Sequence, residues 1–193
     1  PGMSGVVYNA RVGDPAFGWA GDHVEPGVSI ANPDNAAEFA LHYLTCMGNK
    51  AIVTSGMGKG AEGIVTGEHA RLLVDFSPDV HDLLCVGDSI QIIACGRGLE
   101  LTDYPQIVLK KCSPQLINGI PFEVISDAKI RVPVTTVLPP RIMGSGAELN
   151  SEYVDQDLMS GDRALMAELG IDQMKLGDLV VIPDADHRFG RTY

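Results

Sequence analysis

The pattern of apolar and polar positions predicts one clear amphipathic helix, between residues 32 and 48. Asn32 and Pro33 suit its N-cap and first position, and Gly48 suits its end. We expect the recurring apolar positions, which share one helical face, to pack on the core. These positions are Ala36, Ala40, Tyr43, Leu44 and Met47. His42 projects about 140° away from that face, so we expect a solvated surface histidine.

Two further helical segments are shorter. One is predicted from Gly161 to Leu169, with Ser160 as its cap, Gly170 at its left-handed end and Ile171 as the hydrophobic contact beyond it. The other is a helical turn that begins at Ser77-Pro78. The chain therefore contains two or three short helices.

Strands dominate the remaining pattern. Short apolar or alternating segments, separated by Gly, Pro or Asp, predict strands at residues 6–12, 51–55, 63–66, 72–76, 90–95, 107–109, 129–133 and 178–182. We expect an α+β, β-rich fold built on a small, partly closed barrel or sandwich. The length favours a single α+β domain over residues 1–193, with a possible internal boundary near residues 139–150.

One short pattern occurs twice, as LCVGDSIQI at residues 84–92 and as MKLGDLVVI at residues 174–182. In both copies an apolar residue is followed by a Gly-Asp turn and a strand. This is a common way to enter a small barrel or sandwich, so the pattern predicts topology, not chemistry.

Charge and composition exclude several classes of partner. The net charge of -11, with scattered Lys and Arg, makes nucleic acid an unexpected partner. No segment approaches the roughly 20 apolar residues of a membrane span, so we expect no membrane insertion. Four cysteines without C-x-x-C spacing favour a reducing cytoplasm. Cys112 follows two lysines, which favour a thiolate, and the alternative is a buried or idle thiol.

Both ends of the sequence are unusual for a complete domain. The chain lacks an initiator Met, and it stops about ten residues after a predicted strand. We therefore expect a fragment of a longer chain.

The densest group of chemically active residues follows the last predicted strand, at Asp184, Asp186, His187 and Arg188. An EF-hand calcium loop is excluded, because the required third Asp or Asn and the later Glu are missing. Three interpretations stay open. They are a transition-metal site, a carboxylate-histidine acid/base pair with Arg188 as an anion clamp, and a salt-bridged structural loop.

A second group lies in the long irregular segment at residues 13–26. Asp22, His23 and Glu25 offer oxygen and nitrogen ligands that suit Zn, Mn or Fe, or an acid/base pair. The alternative is a solvated turn.

Two glycine-rich segments complete the candidate chemistry. Gly144-Ser145-Gly146 offers backbone N–H donors for a substrate, although it lacks the frame of a serine nucleophile elbow. Residues 58–63 match G-x-G-x-x-G, but the β-branched residues that follow predict a strand where a dinucleotide site needs a helix. We therefore expect no nucleotide cofactor.

Four long words resemble one prokaryotic family, catalogued as domain of unknown function 4438: RVGDPAFGWAGDHVEPGVS, GKGAEGIVTGEH, LPPRIMGSGAE and LGDLVVIPDADHRFGR. The likeness spans nearly the whole chain and implies no activity or catalytic residue. Residues 177–190 also look like a stretch of the acetamidase/formamidase family, which are β-rich amide hydrolases. This shorter likeness favours a hydrolase by analogy.

We expect a metal-assisted hydrolase or lyase that acts on a small polar metabolite and holds one divalent ion, Zn, Mn or Fe. The expected metal ligands are Asp184, His187, His23 and Asp22, with Asp186 and Glu25 as further carboxylates. The expected catalytic residues are His187, Asp186, Arg188 and Glu25, and the substrate loop is Gly144, Ser145 and Gly146. The alternative is a non-catalytic, small-ligand-binding or oligomer-forming β-rich protein. Under either interpretation we expect a homo-oligomer.

Overall fold

The computed structural model of the chain describes residues 6–7, 27–68, 71–143, 162–175 and 178–184. In this part of the chain there are ten strands: β1 (Val6–Val7), β2 (Gly27–Ile30), β3 (Lys50–Val53), β4 (Glu62–Glu68), β5 (Leu72–Asp75), β6 (Ile90–Ile93), β7 (Glu123–Ser126), β8 (Lys129–Arg131), β9 (Thr136–Val137) and β10 (Val180–Val181). The helices are α1 (Asn35–Leu44), α2 (Pro78–His81), α3 (Pro114–Gly119) and α4 (Arg163–Glu168), with 3₁₀ turns at Pro140–Ile142 and Ile171–Gln173.

The largest sheet is antiparallel and has the strand order β1-β2-β5-β4-β3-β6. It curls into a half-barrel. The predicted α+β class with a partly closed barrel is therefore confirmed. Among the described residues, those up to residue 132 form one compact unit and those from residue 133 onward form a second.

The core of the first unit comes from alternate residues of the curled sheet. In β4, Gly63 and Val65 are buried whereas Ile64 is exposed, as expected for side chains that alternate between two faces. The buried cluster contains Val28, Ala51, Val53, Val65, Val74, Phe76 and Val80. Gly63 allows a close approach of β5, because a Cβ there would lie 2.6 Å from the carbonyl oxygen of Asp75.

The second unit contains a parallel pair of strands and a small core of its own. Strand β10 pairs with β9 in the register Val180 with Thr136 and Val181 with Val137. The core consists of Leu138, Ile142, Ile171 and Met174. As predicted, Gly170 is left-handed (φ 71°) and Ile171 beyond it is buried.

Strands β7 and β8 form a separate two-stranded hairpin whose apolar face is exposed. Glu123 pairs with Arg131 on one face, where their side chains are 2.6 Å apart, and Val124 pairs with Ile130 on the other. Phe122 and Val124 retain 42% and 58% of their exposure. All strand residues of the hairpin except Ile130 are exposed.

The aspartates of the repeated Gly-Asp pattern make the same hydrogen bond in both places. The Asp88 carboxylate accepts from the backbone N–H of Cys85, and the Asp178 carboxylate accepts from that of Lys175, both at 2.9 Å. Strands β6 and β10 follow these turns. The prediction that the pattern introduces a strand is confirmed.

Several local predictions were wrong. Helix α1 is capped by Asp34, whose side chain accepts from Ala37 N–H, and not by Asn32. Residues 107–109 form no strand, and α3 and β2, β7 and β9 were missed. The side of α1 expected in the core is largely outside, because Tyr43 and Leu44 retain 36% and 50% of their exposure.

Candidate functional site

The most concentrated charged group in the described part of the chain surrounds His42 on α1. Its side chain is buried, so the expectation of a solvated histidine was wrong. His42 Nδ1 lies 2.8 Å from Glu68 Oε1, and His42 Nε2 lies 3.1 Å from Glu38 Oε1. Glu38 is one helical turn before His42, whereas Glu68 ends β4. The histidine therefore joins two carboxylates from different elements.

Lys111 completes the group from the segment that precedes α3. Its Nζ lies 2.8 Å from Glu68 Oε2 and donates a hydrogen bond to the backbone carbonyl of His42. That carbonyl is in the last turn of α1, where a cation stabilises the negative end of the helix dipole. Lys111 adopts a positive φ of 54°, which is uncommon for a residue with a side chain. The backbone thus accepts a strained conformation where Lys111 reaches both partners.

The neighbouring carboxylates change the proton affinity of His42. The hydrogen bond to Glu68 raises the pKa of His42 above its usual value of 6.5, burial opposes the rise, and Glu38 adds to it. The arrangement therefore holds a proton. With both ring nitrogens facing carboxylates, His42 has no free lone pair for a metal ion.

The two lysines before Cys112 favour a thiolate in the sequence, but the structure favours the protonated thiol. Burial raises the pKa of the Cys112 thiol, and the nearby Cys46 raises it further. Its Sγ–H donates to the Lys110 carbonyl at 3.2 Å. A half-buried, protonated thiol is the better interpretation of Cys112.

Of the residues predicted to form the metal and substrate site, the described part of the chain includes Asp184. Its side chain is exposed and its φ is 57°, in the left-handed region that Asp tolerates better than most residues. The other predicted residues lie outside the described residues: Asp22, His23, Glu25, Gly144, Ser145, Gly146, Asp186, His187 and Arg188. Within the described ranges, His, Cys, Asp and Glu form no group of three that would hold a metal ion.

Two of the predicted site segments follow the paired parallel strands β9 and β10 along the chain. Leu138 N–H donates to the Val181 carbonyl at 2.7 Å, so β9 and β10 end at the same edge of their sheet. Beyond that edge, Met143 and Ile182 pack against one small core. Met143 directly precedes the Gly144–Gly146 segment, and Ile182 lies two residues before Asp184.

Sequence reasoning missed the charged group around His42. Glu38 is four residues away and on the same helix, but Glu68 and Lys111 are 26 and 69 residues away along the chain. The pair Glu38 and His42 at i, i+4 was the available local indication. The group could not be predicted because Glu68 and Lys111 are distant from His42 along the chain.

Two family models together match nearly the whole chain. The model of the N-terminal domain of unknown function DUF4438 matches residues 1–118, and that of the C-terminal domain matches residues 120–193. The chain belongs to the DUF4438 family. No curated protein matches this DUF4438 chain.

A solved structure resembles this DUF4438 chain over its full length. It is the crystal structure of TM1086, which is 41% identical, with a TM-score of 0.86. The match covers 100% of the DUF4438 chain and 68% of the TM1086 chain. In the described portion of the chain, no helix has the length and apolar character to cross a membrane.

Proposed function

We propose that this DUF4438 chain is a metal-assisted hydrolase or related lyase that acts on a small polar metabolite. Asp184, His187, His23 and Asp22 bind one divalent ion, Zn, Mn or Fe, through oxygen and nitrogen donors. Asp186 and Glu25 serve as acid/base groups, and Arg188 binds an anionic group of the substrate.

The observation that carries the proposal is the common edge at which β9 and β10 end. Ligand sites in parallel sheets form beyond the carboxyl ends of the strands, where two connections leave side by side. In the sequence, the connection after β9 continues to Gly144–Gly146, and the connection after β10 continues through Ile182 and Pro183 to Asp184. The two connections that carry the proposed backbone donors and the proposed carboxylate-imidazole sequence thus leave neighbouring strands at the same end.

The exposed, left-handed Asp184 supports the same proposal. Strand β10 ends at Val181, and the chain turns at Pro183 and Asp184 instead of continuing in the sheet. An exposed carboxylate at such a turn is accessible to a ligand. The likeness of residues 177–190 to the acetamidase/formamidase family favours hydrolysis among the possible reactions.

Metal content tests the proposal directly. Untagged protein is incubated separately with Zn²⁺, Mn²⁺ and Fe²⁺, desalted and measured by elemental analysis. We expect about one ion per chain for one of these metals, and at least a tenfold weaker affinity in His187→Ala and Asp184→Asn, because each removes a ligand. Asp172→Asn is the matched control. It removes a carboxylate from the same unit, and binding should persist.

Two results would overturn the metal proposal. One is the absence of a stoichiometric ion with all three metals, and the other is equal affinity in wild type and His187→Ala. Binding of one ion by two histidines also requires that His23 and His187 approach within about 5 Å, since Zn–N bonds are about 2 Å long. Spectroscopy of the Co²⁺-substituted protein counts these nitrogen ligands.

A second candidate is a non-catalytic β-rich protein that binds a small ligand or assembles into homo-oligomers. The β7–β8 hairpin favours it, because Phe122, Val124 and Ile125 retain 42%, 58% and 45% of their exposure. Exposed apolar side chains on one short element are typical of a subunit contact. The molecular mass in solution tests this candidate separately from metal content.

A further inference from the structure

The ring of His42 contacts one carboxylate at each nitrogen, and these two contacts favour one protonation state. Each ring nitrogen faces a carboxylate oxygen, Glu68 Oε1 at 2.8 Å and Glu38 Oε1 at 3.1 Å. A neutral imidazole has one N–H donor and one lone pair, so it satisfies one carboxylate and repels the other. Only the doubly protonated ring donates to both.

Each of the two carboxylates also contacts a cationic side chain. Lys111 Nζ pairs with Glu68 Oε2 at 2.8 Å, and Arg71 lies 3.8 Å from Glu38 Oε1. The second oxygen of Glu38 also accepts from the backbone N–H of Asn32. The cations Lys111 and Arg71 thus offset part of the negative charge that the two glutamates bring to His42.

We propose that His42 is a proton-operated latch, which holds helix α1 to the end of β4 and to its own first turn while both ring nitrogens carry protons. Loss of one proton turns a lone pair toward Glu38 or Glu68, and that contact opens. Either opening loosens α1, because Glu38 anchors the segment before the helix and Glu68 anchors the helix to the sheet. The latch uses none of the residues of the proposed metal site.

The direction of the response follows from the charged groups that surround the histidine. Described charges come from α1 (Glu38), the end of β4 (Glu68), the β4–β5 connection (Arg71) and the segment before α3 (Lys111). The carboxylates touch the ring itself, and the folded-state pKa of His42 is raised. The stabilisation is therefore complete below about pH 6.5, the unfolded value, and is lost as the pH rises through the folded value.

Amide hydrogen exchange of α1 between about pH 6 and pH 9 tests the latch. In wild type, the protection factors of residues 39–44, corrected for intrinsic exchange, should fall as the pH rises. The expected fall is about tenfold for each unit by which folding raises the pKa of His42. In His42→Gln, protection should be low and independent of pH. In His42→Lys, which stays charged, it should be independent of pH and higher than in His42→Gln.

His81→Gln is the matched control, because His81 is also buried and helical but belongs to α2. It should retain the pH-dependent loss of protection in α1. Equal pH dependence in wild type and His42→Gln would overturn the latch. If a variant fails to fold, nitrogen-15 spectra of the wild-type imidazole still decide: both nitrogens must be protonated at pH 6, and a neutral ring at that pH contradicts the proposal.

Discussion

Gly63 shows how one missing side chain positions two strands. An alanine Cβ at this position would lie 2.6 Å from the Asp75 carbonyl oxygen and 2.7 Å from the Phe76 ring. Both contacts are far inside van der Waals distance, and the first one is to rigid backbone. Glycine here is required by close approach of β4 and β5.

We therefore predict that Gly63→Ala lowers the free energy of unfolding by about 1–3 kcal/mol, the usual cost of overpacking a core. Gly119→Ala is the matched control, since nothing lies within 4 Å of its added Cβ and the residue is helical. It should raise stability by about 0.5–1 kcal/mol. Urea titration of both variants measures the difference. Equal stability of Gly63→Ala and wild type would show that the strands separate without cost.

At the scale of the residue, the sequence predicts local geometry better than it predicts burial. The left-handed Gly170 followed a rule that depends on adjacent residues, and it was confirmed. The burial of His42 depends on Glu68 and Lys111, which approach only when β4 and the segment before α3 fold against α1. Contacts between distant segments are not visible in a local pattern.

At the scale of the element, the two Gly-Asp turns are a matched pair. In each, the Asp side chain accepts a backbone N–H three residues earlier, and its own N–H donates to the carbonyl of that same residue. Asp88 has one further partner, because Ser55 Oγ–H donates to it at 3.4 Å. Among the described residues, the first turn thus has one side-chain contact more than the second.

We predict that Asp178→Ala costs about 1 kcal/mol of stability, the net value of one such hydrogen bond, and that Asp88→Ala costs more. The Asp→Asn variants keep a side-chain oxygen as acceptor and should lose less than the Ala variants. The midpoints and slopes of guanidinium unfolding rank the four proteins. If Asp178→Ala lowers the free energy of unfolding more than Asp88→Ala does, the extra contact with Ser55 does not stabilise the first turn.

Helix α1 shows which part of an element can be predicted and which cannot. Its existence follows from helical periodicity, and the prediction was confirmed within four residues at each end. Its orientation was wrong, because the buried side is chosen by the charged contacts of His42, while Phe39 and Tyr43 stack outside with Arg97 over the Tyr43 ring at 4.0 Å. Hydrophobicity alone does not orient a helix that an ion-pair network anchors.

For the whole molecule, the number of predicted strands was sufficient to predict the fold class, but it was not sufficient to locate the candidate site. Many short strands and few helices predict an α+β fold with a small, partly closed barrel or sandwich, because that inference tolerates errors in single elements. The common edge of β9 and β10 was not predictable, since β9 has two residues and its parallel partner is 44 positions away (180 minus 136). Residue types alone predict the candidate site. The parallel pairing of β9 with β10 adds that two of its segments follow neighbouring strands.

The exposed apolar face of the β7–β8 hairpin offers a surface to a second copy of the chain. Phe122, Val124 and Ile130 occupy one face, and none of them is charged. With a net charge of -11, two copies repel one another over most of their surface. Electrostatic repulsion is smallest when two copies associate through an uncharged face. Association should strengthen when salt screens the repulsion between the other charges of the two copies.

We expect light scattering of the wild type to give a multiple of 20.5 kDa that falls on dilution and rises with salt. Val124→Lys should shift the mass toward 20.5 kDa, because it places an unpaired charge in the contact. Val86→Lys, at a position 98% exposed, changes the net charge equally and should keep the wild-type mass. A wild type that is monomeric at every concentration and salt excludes self-association. An oligomer that Val124→Lys leaves intact assigns the contact to a different surface, because a buried lysine in an apolar contact is too costly to be accommodated unchanged.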